Sequence, residues 1–265
     1  MGKRVRVLAG ILMALVLCIT AVSCGGAEDI DIVPNKPISY GDITNDNLPA
    51  VCDVLEKSGF KNVETFEKWV KTYNSVADQI KGQEGFADAD CRMLAMLLMD
   101  DELEFRTVLD KYRGDILMFD LDVIENSKTY GVLKSKEKKL FTLFGEMPIS
   151  IKGHFQKAYP ENLAKHGVVF GGQNYQLISV LYRTDNKEDA FVGHTGLLID
   201  CSEIPEVDSS YIFLEKVAFT EPYRVTQINS DSDIITMLAE RPELKAAKGE
   251  PAPRVYKNDQ FIGDL

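Results

Sequence analysis

The hydrophobic period of the chain changes beyond its middle, and this change constrains the fold more than any other sequence feature. Up to about residue 165, apolar residues recur mainly with helical spacing, as at Val63, Phe66 and Val70. Beyond that point, segments rich in Val, Ile, Leu, Phe and Tyr alternate with short turn-forming segments, which favours antiparallel pairing. Helices followed by strands predict an α+β fold, with a helical N-terminal half packed on an antiparallel sheet from the C-terminal half.

Several predicted elements have recognisable ends. We expect Asn47 to cap the first helix, because Pro49 lies in its first turn and Gly59 follows its end. The segment 91–99 is apolar almost all round, which predicts a buried helix. Helices are predicted at residues 48–58, 63–73, 91–99, 102–112, 135–144, 153–165 and 231–241, and strands at residues 168–170, 175–183, 190–200, 211–219 and 223–228.

The N-terminus has the pattern of a secretory signal. Lys3, Arg4 and Arg6 precede an apolar run, and small residues then lead to Cys24. The apolar run is shorter than the roughly 18 to 20 residues that a membrane-spanning helix needs. The Ala21 to Cys24 segment resembles the cleavage box of bacterial lipoproteins, in which the cysteine is acylated and becomes the first residue. Ala21 departs from the Leu that is usual in that box, and an ordinary signal peptide or an uncleaved anchor is the alternative.

This resemblance sets the expected organisation of the chain. Residues 1–23 would be a signal peptide, residues 24–37 a lipidated tether and residues 38–265 a single α+β domain. The protein would then lie on the outer face of the bacterial cytoplasmic membrane, anchored through lipid on Cys24, since buried acyl chains contribute ~0.8 kcal/mol per methylene. The formal net charge of −11 repels phosphate backbones, so we expect no nucleic acid partner.

The cysteines of the expected domain point to chemistry rather than to a disulfide framework. Cys52, Cys91 and Cys201 remain after the signal peptide and the acylated Cys24, and three cysteines cannot all pair. No Cys-x-x-Cys spacing occurs, so we expect neither a metal nor another cofactor. An exported domain that keeps an unpaired thiol raises the question of what the thiol does.

Cys91 is the first candidate catalytic residue. It follows Asp88 and Asp90 at the predicted start of the buried helix, where either acid is able to cap the helix. The free amides and the dipole at a helix start stabilise a thiolate, and Arg92 favours it further, whereas Asp90 opposes it. The alternative is a packing role, because free cysteine is among the residue types most often buried.

His194 and Glu215 are the second and third candidates. His194 lies on a predicted strand between Gly193 and Gly196, which suggests close approach of another group. Alternation places Glu215 on an apolar strand face, where a carboxylate is costly unless a histidine or an arginine pairs with it. The alternatives are a buried structural imidazole for His194 and a solvated edge strand for Glu215.

Together these residues predict a catalytic triad. His194 would accept the proton of the Cys91 thiol, and Glu215 would hold the tautomer and orientation of the imidazole. The order Cys, His, acid is also that of papain-like hydrolases, including the NlpC-type cell-wall peptidases. Asp90-Cys91 and the segment from His194-Thr195-Gly196 to Ile199 resemble the corresponding motifs of those enzymes, whereas Arg92-Met93 replaces their usual small residues.

A second resemblance covers most of the expected domain. Residues 164–170, 191–196 and 213–223, with the run Val192-Gly193-His194-Thr195-Gly196, are similar to a bacterial lipoprotein family called domain of unknown function 4300. That resemblance implies a lipoprotein of mainly Gram-positive bacteria and brings no established activity. The chemistry therefore depends on the residues themselves.

Three functions fit these patterns. The first is a surface-anchored cysteine hydrolase, an amidase or peptidase, that acts on peptidoglycan or another envelope peptide. The second is a non-catalytic envelope lipoprotein that binds a ligand or partner, with a site lined by tyrosines. The third is a papain-like fold that has lost its activity. The tyrosines considered for the binding site are Tyr130, Tyr175, Tyr182 and Tyr223.

Overall fold

An antiparallel sheet of eight strands organises the fold of this computed structural model, which describes residues 38–80 and 88–265. The expected signal peptide, Cys24 and the tether lie outside these residues. The strands are β1 (Gly41–Asp42), β2 (Leu103–Phe105), β3 (Met147–Pro148), β4 (Val168–Phe170), β5 (Tyr175–Arg183), β6 (Asp189–Asp200), β7 (Tyr211–Lys216), β8 (Tyr223–Ile228), β9 (Arg254–Lys257) and β10 (Gln260–Asp264). The strand order is β1-β8-β7-β6-β5-β9-β10, β3 pairs with β6, and β2 and β4 form a separate two-stranded sheet.

Seven α-helices occur in the described part of the chain. They are α1 (Leu48–Lys57), α2 (Val63–Ile80), α3 (Cys91–Met99), α4 (Met118–Asn126), α5 (Glu137–Phe144), α6 (Ala158–His166) and α7 (Asp231–Ala239). All nine residues of α3 are buried, as their apolar character predicts. None of the helices in residues 38–80 and 88–265 is both long and apolar enough to cross a membrane.

The sheet separates a large and a small hydrophobic core. On one face, Leu197 and Leu214 pack into the large core with residues of α1, α2, α3, α5 and α6. On the other face, Leu198 and Phe213 pack with Ile234 of α7 in the small core. Alternate residues of β6 and β7 thus enter different cores, because successive side chains of a strand point to opposite faces. The α+β fold class is confirmed.

Some predicted elements are wrong. Residues 102–112 form no α-helix, since Leu103–Phe105 is a strand that pairs with β4. Asn47 does not cap α1 through its side chain; its amide instead accepts from the Thr44 N–H at 2.8 Å and donates to the Asp42 carbonyl at 3.1 Å. The strand predicted to reach residue 219 ends at Lys216, because the chain then turns towards β8.

Two irregularities of β6 position the candidate site. Val180 pairs with His194 whereas Leu181 pairs with Val192, so Gly193 is the extra residue of a β-bulge. His194 and Leu198 are four residues apart on the regular part of β6 beyond the bulge, so they share a face of the strand. The pairing of β6 with β7 ends at Leu197 and Leu214. Residues 189–196 of β6, which include His194, therefore do not pair with β7.

Candidate active site

Cys91 is the first residue of α3, and Asp90 caps the helix. Asp90 Oδ1 accepts the Met93 N–H at 2.9 Å, and the Asp90 carbonyl accepts the Leu94 N–H at 3.0 Å. This confirms Asp90, rather than Asp88, as the residue that caps the helix. Cys91 is 5% exposed. Among the described residues, no group accepts a hydrogen bond from the backbone N–H of Cys91 or of Arg92. Unpaired N–H groups at the start of a helix stabilise a negative charge beside them.

Gly193, the extra residue of the bulge, directly precedes His194, and both glycines of this segment have close neighbours. A Cβ atom on Gly193 would lie 2.6 Å from the Tyr182 ring, and one on Gly196 would lie 2.9 Å from the Leu214 carbonyl oxygen. These close neighbours leave no room for a side chain at either position, which explains both glycines as the sequence predicted. The Cys91 thiol lies close enough to the His194 imidazole to contribute, with Glu215, to the raised pKa of the imidazole.

Glu215 lies one residue beyond the part of β7 that pairs with β6, and it binds Nε2 of the imidazole. His194 Nε2 is 2.7 Å from Glu215 Oε2, which leaves the other ring nitrogen, Nδ1, for the Cys91 thiol. Arg241 donates from Nη1 to Oε2 at 2.6 Å and from Nη2 to Oε1. The sequence led us to expect a histidine or an arginine beside Glu215, and the structure contains both. Glu215 is fully buried, so its solvated-edge alternative is wrong.

The pKa values of these groups show which charges the site favours. Burial alone would raise the pKa of Glu215, but Arg241 and His194 outweigh it and lower the pKa to about 2. Burial alone would lower the pKa of His194, but hydrogen bonds and charge from Cys91 and Glu215 raise it to about 9. The site therefore stabilises a carboxylate and an imidazolium at neutral pH, which suits a histidine that must hold a proton.

A second buried group of charges surrounds the start of α3. Arg92 donates to both carboxylate oxygens of Asp120 at 2.8 Å, and its Nη2 lies 2.6 Å from Asp90 Oδ2. Arg92 Nη1 also reaches the carbonyl of Val192 at 3.4 Å, on the part of β6 that β7 leaves uncovered. These contacts fix the beginning of α3 against β6, next to the imidazole.

Lys216 extends this group on the large-core side of β7. Its Nζ lies 3.2 Å from Asp88 Oδ2 and 3.8 Å from the centre of the Tyr73 ring. Tyr130 donates a hydrogen bond to the other oxygen of Asp88. Burial lowers the pKa of Lys216 to about 8, although Asp88 opposes that shift. We call Asp88, Asp90, Arg92, Asp120 and Lys216 the helix-start cluster.

Sequence reasoning missed Arg241 and the role of the helix-start cluster. A signal was present for Arg92 and Lys216, because each is a charged residue inside a segment that is otherwise buried. Such residues need charged partners, which would have directed attention to neighbouring acids. No local signal marks Arg241, which follows α7 in a position where arginine is common.

The remaining sequence candidates do not join the site. Cys52 and Cys201 are free thiols, and burial raises the pKa of each to about 12. Tyr130, Tyr175 and Tyr223 are buried in the large core, so they do not line an open site. Tyr182 is half-buried beside Gly193. In residues 38–80 and 88–265, no group of three or more His, Cys, Asp or Glu side chains is arranged to hold a metal ion.

The fold and site define a mixed α+β protein with a buried thiol beside an imidazole that is hydrogen-bonded to a buried carboxylate. The family model described as domain of unknown function (DUF4300) matches residues 56–262, and the chain belongs to this family. The matched region includes Cys91, His194, Glu215 and Arg241. We find no match to the chain among curated proteins or among solved structures.

Proposed function

We propose that this protein is a membrane-anchored bacterial surface lipoprotein with a papain-like cysteine hydrolase domain, an amidase or peptidase acting on cell-envelope peptides. The observation that carries the proposal is the buried arrangement of the Cys91 thiol beside the His194 imidazole, which is hydrogen-bonded to Glu215. Cys91 is the nucleophile, His194 the base and Glu215 the acid that orients the imidazole. The lipid anchor on Cys24 and the envelope location rest on the N-terminal sequence pattern.

The proposed reaction begins from an ion pair, in which the proton of the Cys91 thiol already resides on Nδ1 of His194. The thiolate attacks the carbonyl carbon of an amide, and the free N–H of Cys91 is placed to donate to the developing oxyanion. The imidazolium then gives its proton to the departing amine as the C–N bond breaks, which leaves a thioester on Cys91. Water attacks the thioester while His194 accepts a water proton, and the acid product leaves as the thiol is restored.

Three features support a nucleophilic thiol. The N-terminus of a helix stabilises negative charge on sulfur. The raised pKa of His194 keeps the imidazolium protonated beside that sulfur at neutral pH. Arg241 holds Glu215 ionised and binds both of its oxygens, so the carboxylate keeps a fixed direction towards Nε2.

Incubation of the purified protein with peptidoglycan tests the hydrolase proposal. We expect new amine termini to appear with time, and the Cys91→Ala variant should release none above background. Cys201→Ala is the matched control, because it also removes a buried thiol but leaves the candidate site complete. Equal release by the native protein and Cys91→Ala would contradict the proposal.

A non-catalytic envelope lipoprotein that binds a ligand or partner is the second candidate. The observation that favours it is burial, since Cys91 is 5% exposed and His194 only 2% exposed. Reaction with iodoacetamide separates the two functions. A hydrolase should be labelled at Cys91 faster than at Cys52 or Cys201, and His194→Ala should slow that labelling. Labelling of all three thiols at one rate would favour the binding function.

A further inference from the structure

A cavity of about 240 Å³ opens where β5 ends and β6 begins. Most of its wall is apolar and comes from three separate parts of the chain. The apolar residues of the wall are Ile116, Tyr182, Phe191, Ala246, Ala247 and Pro251. The residues of the candidate site do not line this cavity, so its role is a separate question.

Tyr182 forms the boundary between the cavity and the candidate site. Its ring packs on the backbone of Gly193, one residue before His194, and stacks on Phe191 with ring centres 5.8 Å apart. Its hydroxyl donates to the carbonyl of Leu244 at 2.8 Å, which fixes the ring. Burial raises the pKa of the Tyr182 hydroxyl, and the charge of Cys91 adds to the rise.

The cavity wall selects by polarity and by size. Its one arginine, Arg183, is already paired with Glu250, from Nε at 3.0 Å and from Nη2 at 2.6 Å. Asp185 also lines the cavity, so an added anionic group would meet a second carboxylate and would have to break that ion pair to find a cationic partner. The volume is below the roughly 300 to 1,000 Å³ of sites for drug-sized ligands. One uncharged apolar side chain therefore fits the cavity better than an extended or anionic group.

We infer that this cavity is a substrate subsite, which receives an uncharged aliphatic side chain next to the amide bond that Cys91 attacks. The inference rests on the proposed hydrolase function and adds the class of substrate to it. The Tyr182 ring would lie between the bound side chain and the backbone of Gly193, which directly precedes His194. Residues 244–251 supply the outer wall.

Alkylation by N-acetyl aminoacyl chloromethyl ketones tests the subsite directly. In this reaction the Cys91 thiolate displaces chloride, so a C–S bond forms as the C–Cl bond breaks. The leucyl reagent should alkylate Cys91 about tenfold to a hundredfold faster than the glycyl reagent, because only the leucyl side chain is transferred from water into the cavity. A glutamyl reagent should show no such advantage.

Ala247→Trp should remove the preference for the leucyl reagent. Ala247 is exposed on its outer side, so the larger ring enters the cavity without disturbing the core. Ala247→Leu is a milder second variant, and it should reduce the ratio of the leucyl to the glycyl rate by several fold if Ala247→Trp fails to fold. Val169→Trp is the matched control, because Val169 is 53% exposed and the same bulk is added away from the cavity.

The outcomes distinguish the subsite from the hydrolase function. Equal leucyl and glycyl rates on the native protein, or an unchanged ratio in a folded Ala247 variant, would overturn the subsite while iodoacetamide labelling of Cys91 still supports the nucleophile. If iodoacetamide fails to label Cys91 faster than the other thiols, the hydrolase function and the subsite are both overturned. A ratio lost in Ala247→Trp and kept in Val169→Trp supports the subsite.

Discussion

The candidate site and the helix-start cluster both contain a buried arginine bound to both oxygens of a carboxylate, yet their carboxylates behave differently. Glu215 has two cationic partners, Arg241 and His194, and its pKa falls to about 2. Burial raises the pKa of Asp120 to about 8, and Asp90 adds to the rise although Arg92 opposes it. The number of cations per acid therefore decides whether a buried carboxylate keeps its charge.

This difference suggests separate tasks for the two regions. In the candidate site, cationic and anionic side chains alternate from Arg241 through Glu215 and His194 to the Cys91 thiol. This arrangement suits the transfer of a proton between the thiol and the imidazole. The helix-start cluster has more acids than cations and ends on backbone groups, so it holds α3 in place. The predictions below test this division, and the expected effects decrease from the first to the last.

The largest effect should follow removal of the imidazole. We expect His194→Ala to lower the rate of peptide hydrolysis by about a thousandfold, because the thiol loses its base and the departing amine its acid. The fold should persist, since Glu215 keeps its ion pair with Arg241. Release of amine termini measures the rate. His166→Ala, at a second buried histidine, is the control and should keep most of the activity.

Lys216→Met should mainly lower stability. The change leaves Asp88 buried without its cation, and loss of one partner of a buried ion pair costs about 3 kcal/mol or more. Urea unfolding followed by circular dichroism measures the free energy of unfolding. The double variant Lys216→Met with Asp88→Asn should recover part of the loss. Equal stabilities of the single variant and the native protein would remove the distinction between the two regions.

Arg241→Met should lower activity but leave the packing of the start of α3 almost unchanged. Glu215 would lose a partner that lowers its pKa, so its pKa should rise and the acid limb of the pH profile should move upward. We expect the maximal rate to fall by about tenfold, because the imidazole is still held at 2.7 Å but less rigidly. Arg241→Lys should restore part of the rate. A pH profile identical to the native one would exclude a positioning role for Arg241.

The smallest effects should appear in the pH dependence of stability. Glu215 has a lowered pKa, so its contribution is present above about 4.5 and is lost as pH falls towards 2. Asp120 has a raised pKa, so its contribution has the opposite sign and is lost as pH rises from 3.8 to about 8. The free energy of unfolding, measured with urea between pH 3 and 9, should depend less on pH in each variant. Glu215→Gln should weaken the dependence on the acid side, and Asp120→Asn should weaken it towards neutral pH.

The third titration belongs to His194. Its raised pKa means that it contributes stability below about 6.5, which is lost as pH rises towards 9. His194→Gln should remove this loss in the same unfolding series. A decline between pH 6.5 and 9 that is equally large in the variant would assign the titration to another group.

The sequence allowed prediction of the fold class and of three members of the site because each signal is local. Alternation identified β5 and β8 to the residue, and the apolar run identified α3. Cys91, His194 and Glu215 stood out because each is unusual in its own segment. Their contacts required the bulge at Gly193, which shows in the sequence only as a glycine.

Other parts of the structure depend on distant partners and were not predictable in this way. The helix α4 lacks a side-chain cap, and Asp120 occupies its buried face where a helical pattern would show an apolar residue. Strand β2 pairs with β4 from far along the chain, so its three residues carried too little signal. The β9–β10 hairpin did have a local signal in its Asn258-Asp259 turn, but its strands are short.

The adjacent residues Glu215 and Lys216 have opposite charges and point to opposite faces of β7. A slip of one residue in that strand would exchange them, placing an ammonium group against His194 and Arg241 and a carboxylate against Asp88. Both misaligned contacts would be repulsive in surroundings that exclude water. This pair therefore disfavours a one-residue register shift of β7. The site can assemble only when the strands of the sheet pair in the correct register.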